Sequence, residues 1–365
     1  MIADKQNFSP FNEEPISLIS QAGEWTAPFA CDLKDEQLKT MYQQMLAARL
    51  MDERFIKLQR SGKMSFVAPH SGHEAAQIAA AHAVRVGTDW LFPYYRDYGM
   101  TYALGEPLIE IFAQVTGSRL DTAKARQMPM HPSSKELNIF TGASAIASHI
   151  PPAVGAAISM KIRETGQVVL TSFGDGATSE GDFHAAINYA GAQGAPVVFL
   201  CENNRLAISV DFNKQTGAEN IAIKAKAYGM PGYLVDGMDV LACYYVLQEC
   251  VENARAGLGP SLVEAQVQRF GAHSSADDDS IYRSKEELEQ MRQRDPLLRM
   301  RRFLENQGLW SERDENLFKK EILGEFQAII DTLAEAEKVP LEWMFDDVYA
   351  EMLPHIAEQK KDFLG

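Results

Sequence analysis

The chain has 365 residues, 46% of them hydrophobic, enough to bury a substantial core in one large α/β unit. Its 35 basic against 50 acidic side chains leave a net charge of −15, a field that repels nucleic acid and anionic membranes and disfavours a nucleic-acid role. Cys31, Cys201, Cys243 and Cys250 form no CxxC pair, no apolar signal core opens the chain, and no run of about eighteen apolar residues occurs; these features read as a cytoplasmic protein with reduced thiols and no membrane span.

Residues 1 to 35, rich in Pro, Asn, Glu and Ser without periodicity, predict either an extended arm lying over a partner or a disordered tail. From Leu38 to Leu58 the residues Leu38, Met41, Tyr42, Met45, Leu46 and Leu50 recur at helix spacing, with Lys39, Gln43, Gln44, Arg49 and Glu53 on the polar face. His73-Glu74 begins like a zinc-protease motif, but Gln77 stands where the second histidine must be, so the pair reads as a helix amino terminus near a pocket. Strand signals at 88–95 and 260–269, and a helix at 148–161 opened by Pro151-Pro152, continue an alternation to about residue 270. Such alternation predicts a mostly parallel sheet with helices on both faces over residues 36 to 310. Ser284 and Glu287 make a capping box, and residues 311 to 337 read as helix; residues 311 to 365 then form a helical segment and tail that packs on the same domain or on a partner.

The stretch from Val168 to Ser209 carries the chemistry. An apolar strand, Val168 to Phe173, runs into Gly174-Asp175-Gly176, where glycines let the backbone approach a ligand. A helical pattern with Phe183, Ile187 and Ala190 follows, then a second buried strand from Pro196 to Cys201 that ends in Asn203-Asn204. A right-handed crossover puts both strand ends on one sheet edge, so Asp175 and one asparagine can meet. Carboxylate and amide oxygens suit a hard divalent cation such as magnesium, which leaves its other positions to phosphate, carbonyl and water. A P-loop is excluded because Asp182-Phe183 replace its Lys and Ser/Thr, and a GxGxxG dinucleotide turn because the third glycine is missing.

Gly174-Asp175-Gly176 with Asn203-Asn204 resembles the thiamine diphosphate motif. The segments Phe92 to Asp97, Ala125 to His131, Ala147 to Pro152 and Gly271 to Asp279 are similar, in order, to those of the α subunit of branched-chain 2-oxoacid (2-oxoisovalerate) dehydrogenase, the decarboxylating first component. The resemblance covers residues 35 to 350. It implies a thiamine diphosphate-binding fold with Mg2+ held by Asp175, Asn204 and the backbone carbonyl of Leu206. It also implies cofactor contacts from Tyr94, Tyr95, Arg96, Ser144, Ile146, Gly174, Gly176, Ala177 and His273. His131 and His273 stand as catalytic candidates. Phe66, Tyr95, Met128, His131 and Ser144 are the candidates for holding a 2-oxoacid, with Phe66 and Met128 as an apolar wall for a branched side chain.

By the same resemblance the chain is half an enzyme. A β subunit supplies the carboxylate that activates the cofactor, two α and two β chains assemble, and the acyl group passes to the lipoyl domain of a dihydrolipoyl acyltransferase. The loop from Gly271 to Ser280, hydrophilic and glycine-hinged, is expected to order on the cofactor. Two departures stand out. Glu202 occupies a place where some relatives put an arginine on the diphosphate, and Arg205-Leu206 replace an expected small residue and aromatic. The alternatives are a pyruvate or acetoin dehydrogenase α subunit, from which Arg126-Gln-Met-Pro129 separates this chain, and a non-catalytic phosphate-binding or interaction protein with a relict site.

Overall fold

The computed structural model describes residues 8–365, and a five-stranded sheet lies at its centre. In chain order the elements are α1 (Asp35–Arg60), α2 (Glu74–Ala83), β1 (Trp90–Phe92), α3 (Tyr98–Ala103), α4 (Leu108–Thr116), α5 (Ile150–Ile162), β2 (Val169–Gly174), α6 (Gly181–Gln193) and β3 (Val197–Asn203). A short hairpin, β4 (Leu206–Ala207) and β5 (Val210–Asp211), and the single turn α7 (Phe212–Gln215) precede β6 (Gly232–Asp236), α8 (Val240–Arg255) and β7 (Ser261–Gln266). The chain ends in α9 (Lys285–Arg292), α10 (Pro296–Asn306), α11 (Glu312–Glu335) and α12 (Pro354–Leu364).

The sheet order is β1-β2-β3-β7-β6, with every pairing parallel. Alternate residues of each strand enter two separate cores. Leu170, Leu200, Val235 and Val263 pack with α2 and α8, whereas Val169, Phe173, Phe199 and Leu262 pack with α5 and α6. Strands apolar on both faces are what a parallel sheet covered by helices requires. A third cluster joins Phe55 of α1, Tyr98 of α3, Phe112 of α4 and Phe326 of α11. Through it the carboxyl-terminal helical region meets the sheet domain.

Residues 8–35 lie against the molecule's own sheet. Ile16 donates to Leu234 at 2.9 Å and accepts from Asp236 at 2.9 Å, so this segment covers the free edge of β6. The backbone N–H groups of Leu18 and Ile19 both reach the Asp239 carboxylate at 2.7 Å, which also caps α8 through Leu241 and Ala242. Residues 1–7 of the expected arm lie outside the described residues.

Several boundaries and faces move from the sequence reading for local reasons. The strand expected over 88–95 is only Trp90–Phe92, because Asp97 accepts the Tyr94 backbone N–H and turns the chain at 2.9 Å. The strand expected to reach 269 stops at Gln266; Phe270 donates to the Ser71 carbonyl instead, and the chain peels away from the sheet. Arg49, expected on the polar face of α1, is drawn inward by Glu74 at 2.5 Å and Asp295 at 2.9 Å. The capping box at α9 forms with both of its bonds, Ser284 N–H to Glu287 at 2.7 Å and Glu287 N–H to Ser284 at 3.1 Å.

Candidate active site

Parallel strands end on one edge, and four adjacent ends build the site. Tyr94 to Arg96 follow β1, Gly174 to Ala177 follow β2, Asn204 to Ile208 follow β3, and Arg269 to His273 follow β7. A crevice at the carboxyl ends of such a sheet is the usual place for a ligand in this architecture. Here it is a cleft of about 340 Å³. Phe66, Tyr94, Tyr95, Arg96, Met128, His131, Ser144, Ile146, Gly174, Asp175, Gly176, Ala177, Asn204, Leu206 and His273 all line it. The residues singled out from sequence are therefore brought together, joined by Ala207, Ile208 and Arg269.

Asp175 is 1% exposed and accepts the Gln215 amide at 2.8 Å. Burial pushes its carboxyl up from the ordinary range, opposed by the Gln215 bond and by the Arg269 charge. The two asparagines part ways. Asn203 still belongs to β3 and gives its amide to buried Glu264 at 2.7 Å, while Asn204 faces the cleft. Among the described residues no three His, Cys, Asp or Glu side chains cluster for a metal, so a divalent ion here would rest on one carboxylate with amide and carbonyl oxygens. Asp175, Asn204 Oδ1 and the Leu206 carbonyl are such a set, all hard oxygen donors. The role of the glycines differs from the expected one. Neither Gly174 nor Gly176 has a positive φ, but a Cβ on Gly176 would stand 3.0 Å from the Ala207 Cβ. Close packing of the turn after β2 against Ala207 of β4 favours glycine there.

Two guanidinium groups line the same cleft. Arg96 is 2% exposed, donates to the Pro69 carbonyl, and points Nη2 at His273 Nδ1 and at the His273 carbonyl, both at 3.3 Å. Arg269 is equally buried, holds the Ile208 carbonyl at 2.9 Å and the Tyr282 hydroxyl at 2.8 Å, and leaves Nη1 without a partner. Burial together with these two guanidinium groups pushes His273 down to about 4, so the ring is neutral. Because Nδ1 accepts from Arg96, the proton sits on Nε2, free to donate to an anion. A buried guanidinium with one nitrogen unpaired, lining the cleft with a neutral donor histidine, suits a diphosphate. The cleft thus fits both a diphosphate and its metal ion.

His131 takes the other tautomer. Its Nδ1 lies 3.0 Å from the carbonyls of Met128 and Pro129 and must donate, which leaves Nε2 to accept the Ser144 hydroxyl. The 271–280 loop is tied down by Ser275 N–H to the Val67 carbonyl at 2.8 Å and by His273 N–H to Asp277 at 2.7 Å, with Tyr282 also donating to Asp277. The two departures have distinct structural settings. Arg205 has φ 64, a left-handed conformation in which glycine is free of strain, and its guanidinium lies 4.8 Å over the Phe212 ring. Glu202 is wholly buried beneath the cleft, bonded by His73 at 2.6 Å, Gln77 at 3.1 Å and Tyr94 at 3.2 Å. Burial and the nearby Arg96 hold His73 well below its ordinary value.

Arg269, Gln215 and Gln77 are missed by the sequence reading as contributors to the site, while His73, read as part of a helix amino terminus near a pocket, is the N-cap residue of α2 and bonds Glu202. Arg269 had a usable signal, a cation at the carboxyl end of a predicted strand. Gln215 had none.

A family model described as dehydrogenase E1 component matches residues 42–342. The chain is 40% identical over 322 residues to the 2-oxoisovalerate dehydrogenase subunit alpha of Bacillus subtilis, covering 88% of this chain and 98% of that protein. It is 39% identical over 350 residues to the 3-methyl-2-oxobutanoate dehydrogenase subunit alpha of Mycobacterium tuberculosis, covering 95% and 93%. It is also 39% identical over 329 residues to the pyruvate dehydrogenase E1 component subunit alpha of Staphylococcus aureus, covering 90% and 86%.

Proposed function

Because the chain belongs to the dehydrogenase E1 component family, we propose that it is the α subunit of a branched-chain 2-oxoacid dehydrogenase, working with thiamine diphosphate and Mg2+. The observation that carries this reading is the convergence, at four adjacent strand ends, of buried Arg96 and Arg269 with Asp175 and Asn204 in one cleft. Asp175, the Asn204 amide oxygen and the Leu206 carbonyl hold the ion; Arg96, Arg269 and His273 Nε2–H hold the diphosphate. The cofactor, when bound, supplies the nucleophilic carbon and the electron sink for loss of carbon dioxide.

The protein's own work is to orient and to exclude water. Ile146 and Ala177 give the cofactor an apolar seat, and Tyr95, edge-on to His273 with ring centroids 6.0 Å apart, closes the side of the cleft. The Ser144 hydroxyl and His131 form the polar end that orients the oxoacid carboxylate and carbonyl, with Phe66 and Met128 beside its aliphatic chain. A β subunit completes the cleft, supplies the activating carboxylate, and the acyl group leaves on the lipoyl arm of a dihydrolipoyl acyltransferase. The setting we propose is cytoplasmic; no helix among the described residues is long and apolar enough to cross a membrane.

The test is reconstitution with a β subunit and decarboxylation of a panel of 2-oxoacids. We expect no turnover by the chain alone, and in the complex a higher kcat/KM for 2-oxoisovalerate than for pyruvate. A higher value for pyruvate than for every branched substrate would move the chain to the pyruvate branch, to one α subunit of which it is 39% identical over 329 residues.

A further inference from the structure

Asn204 can serve a metal only if its amide oxygen, and not its nitrogen, faces the ion. The two ends of an amide are nearly the same size, so something chemical must choose between them. Beneath the cleft, outside its lining, Glu202 and His73 provide that choice. Glu202 Oε2 receives three donors: the Gln77 amide at 3.1 Å, the Tyr94 hydroxyl at 3.2 Å, and His73 Nδ1 at 2.6 Å. A carboxylate oxygen so surrounded only accepts, and the proton of His73 is therefore on Nδ1. In the neutral ring this leaves Nε2 as a bare acceptor. The atom opposite Nε2 is the Asn204 amide nitrogen, 3.3 Å away. An acceptor there selects the NH2 end, so Oδ1 is turned to the other side, where one of its lone pairs takes the Leu206 N–H at 3.2 Å and the second is left for a ligand.

We propose that His73 and Glu202 are positioning residues that set the Asn204 amide with its oxygen toward the ion shared with Asp175, an inference that rests on the thiamine diphosphate and magnesium reading above. A reversed amide would present N–H to a hard cation and remove one of its few protein ligands. Both residues are wholly buried, and the carboxylate at 202 acts on the site through the histidine, without touching the cofactor. An acidic residue at this position is thereby given a task, since the positive charge for the diphosphate comes from Arg96 and Arg269.

The experiment is a calorimetric titration of Mg2+ into the full chain assembled with its β subunit at saturating thiamine diphosphate, with melting temperatures taken without metal. His73→Phe keeps a ring but removes the acceptor, and Mg2+ affinity should fall about 10- to 100-fold, the range usual for groups that orient metal ligands. His73→Gln offers an oxygen to Asn204 and an amide N–H to Glu202, and should stay close to wild type. Glu202→Met frees the proton on His73 to take either nitrogen and should weaken Mg2+ in the same direction, an arm that stands if His73→Phe does not fold. Unchanged Mg2+ affinity in His73→Phe or Glu202→Met, or equal losses in His73→Phe and His73→Gln, overturns the inference. If the wild-type complex binds the cofactor without any need for Mg2+, the functional reading itself fails first.

Discussion

Glu106 offers a sharp quantitative test because its side chain is buried with no cation beside it. It is 5% exposed, its Oε2 has no hydrogen-bond partner, and it sits in the corner between α3 and α4. Burial pushes its carboxyl up to about 7; the Thr101 bond opposes this, and Glu110 and Asp121 add to it. A carboxyl raised in the folded state contributes stability that is fully present below the unfolded value of 4.5 and is lost as pH climbs through 7. The whole loss is about 3 kcal/mol, at 1.36 kcal/mol per unit of displacement. Glu106→Gln keeps the shape and removes the titration. Denaturant unfolding of the full chain at pH 5 and pH 8 should therefore show wild type losing about 2 to 3 kcal/mol more than the variant over that interval. The corner matters to the site: Tyr98 donates to Gln114, and Gln114 holds both the Met128 carbonyl, at 2.7 Å, and the His131 N–H. Equal pH dependence in the two proteins would show that the Glu106 carboxyl titrates normally and would refute the argument.

Asp175→Ala should abolish Mg2+-dependent thiamine diphosphate binding, since it removes the one anionic side chain of the oxygen set; unchanged affinity in calorimetry of the complex would sink the assignment. His273, held near 4 by burial and two guanidinium groups, should titrate closer to the ordinary 6.5 in Arg96→Gln, read by NMR of the labelled ring. The sign for stability is that a depressed histidine makes the apo fold lose stability as pH falls from 6.5 toward 4, and Arg96→Gln should flatten that part of the profile. Phe66→Ala should weaken selection among branched oxoacids by about 1 to 3 kcal/mol per methylene lost from contact, with cofactor affinity much less affected. A kcat/KM ratio between 2-oxoisovalerate and pyruvate that does not move would remove Phe66 from the substrate wall.

What could be read from sequence follows the range of the physical rules involved. The pairing of β2 with β3 was legible because the strands are consecutive and one helix joins them, so the crossover rule alone brings Asp175 and Asn204 to one edge. The place of β7 was not. It lies between β3 and β6 although it follows β6 in the chain, and no local signal encodes that order. Hence Arg269, delivered by the end of β7, is absent from the sequence reading although His273, four residues later, is present through its motif. Tautomers are legible only from geometry: both histidines of the cleft look alike in the chain, yet His131 carries its proton on Nδ1 and His273 on Nε2.

Glu202 shows the same limit from the other side. Within the buried run from Val197 to Asn203 a carboxylate contradicts the strand's own pattern, and a buried charge is costly unless paired. From sequence it stood as a departure, at a position where some relatives put an arginine on the diphosphate. In the fold, His73, rejected as a zinc ligand and read as part of a helix amino terminus near a pocket, lies against it at 2.6 Å, and Asp97, buried beside them, is pushed well above its ordinary range by burial and by the Glu202 charge. Burial pushes the Glu202 carboxyl up to about 7, while the bonds from Asp97, Gln77 and Tyr94 and the Arg96 charge favour the carboxylate that the histidine proton needs. Two features that each looked like a broken motif are thus the two halves of one contact, and their meaning depends on a separation of 129 residues that only the folded chain closes.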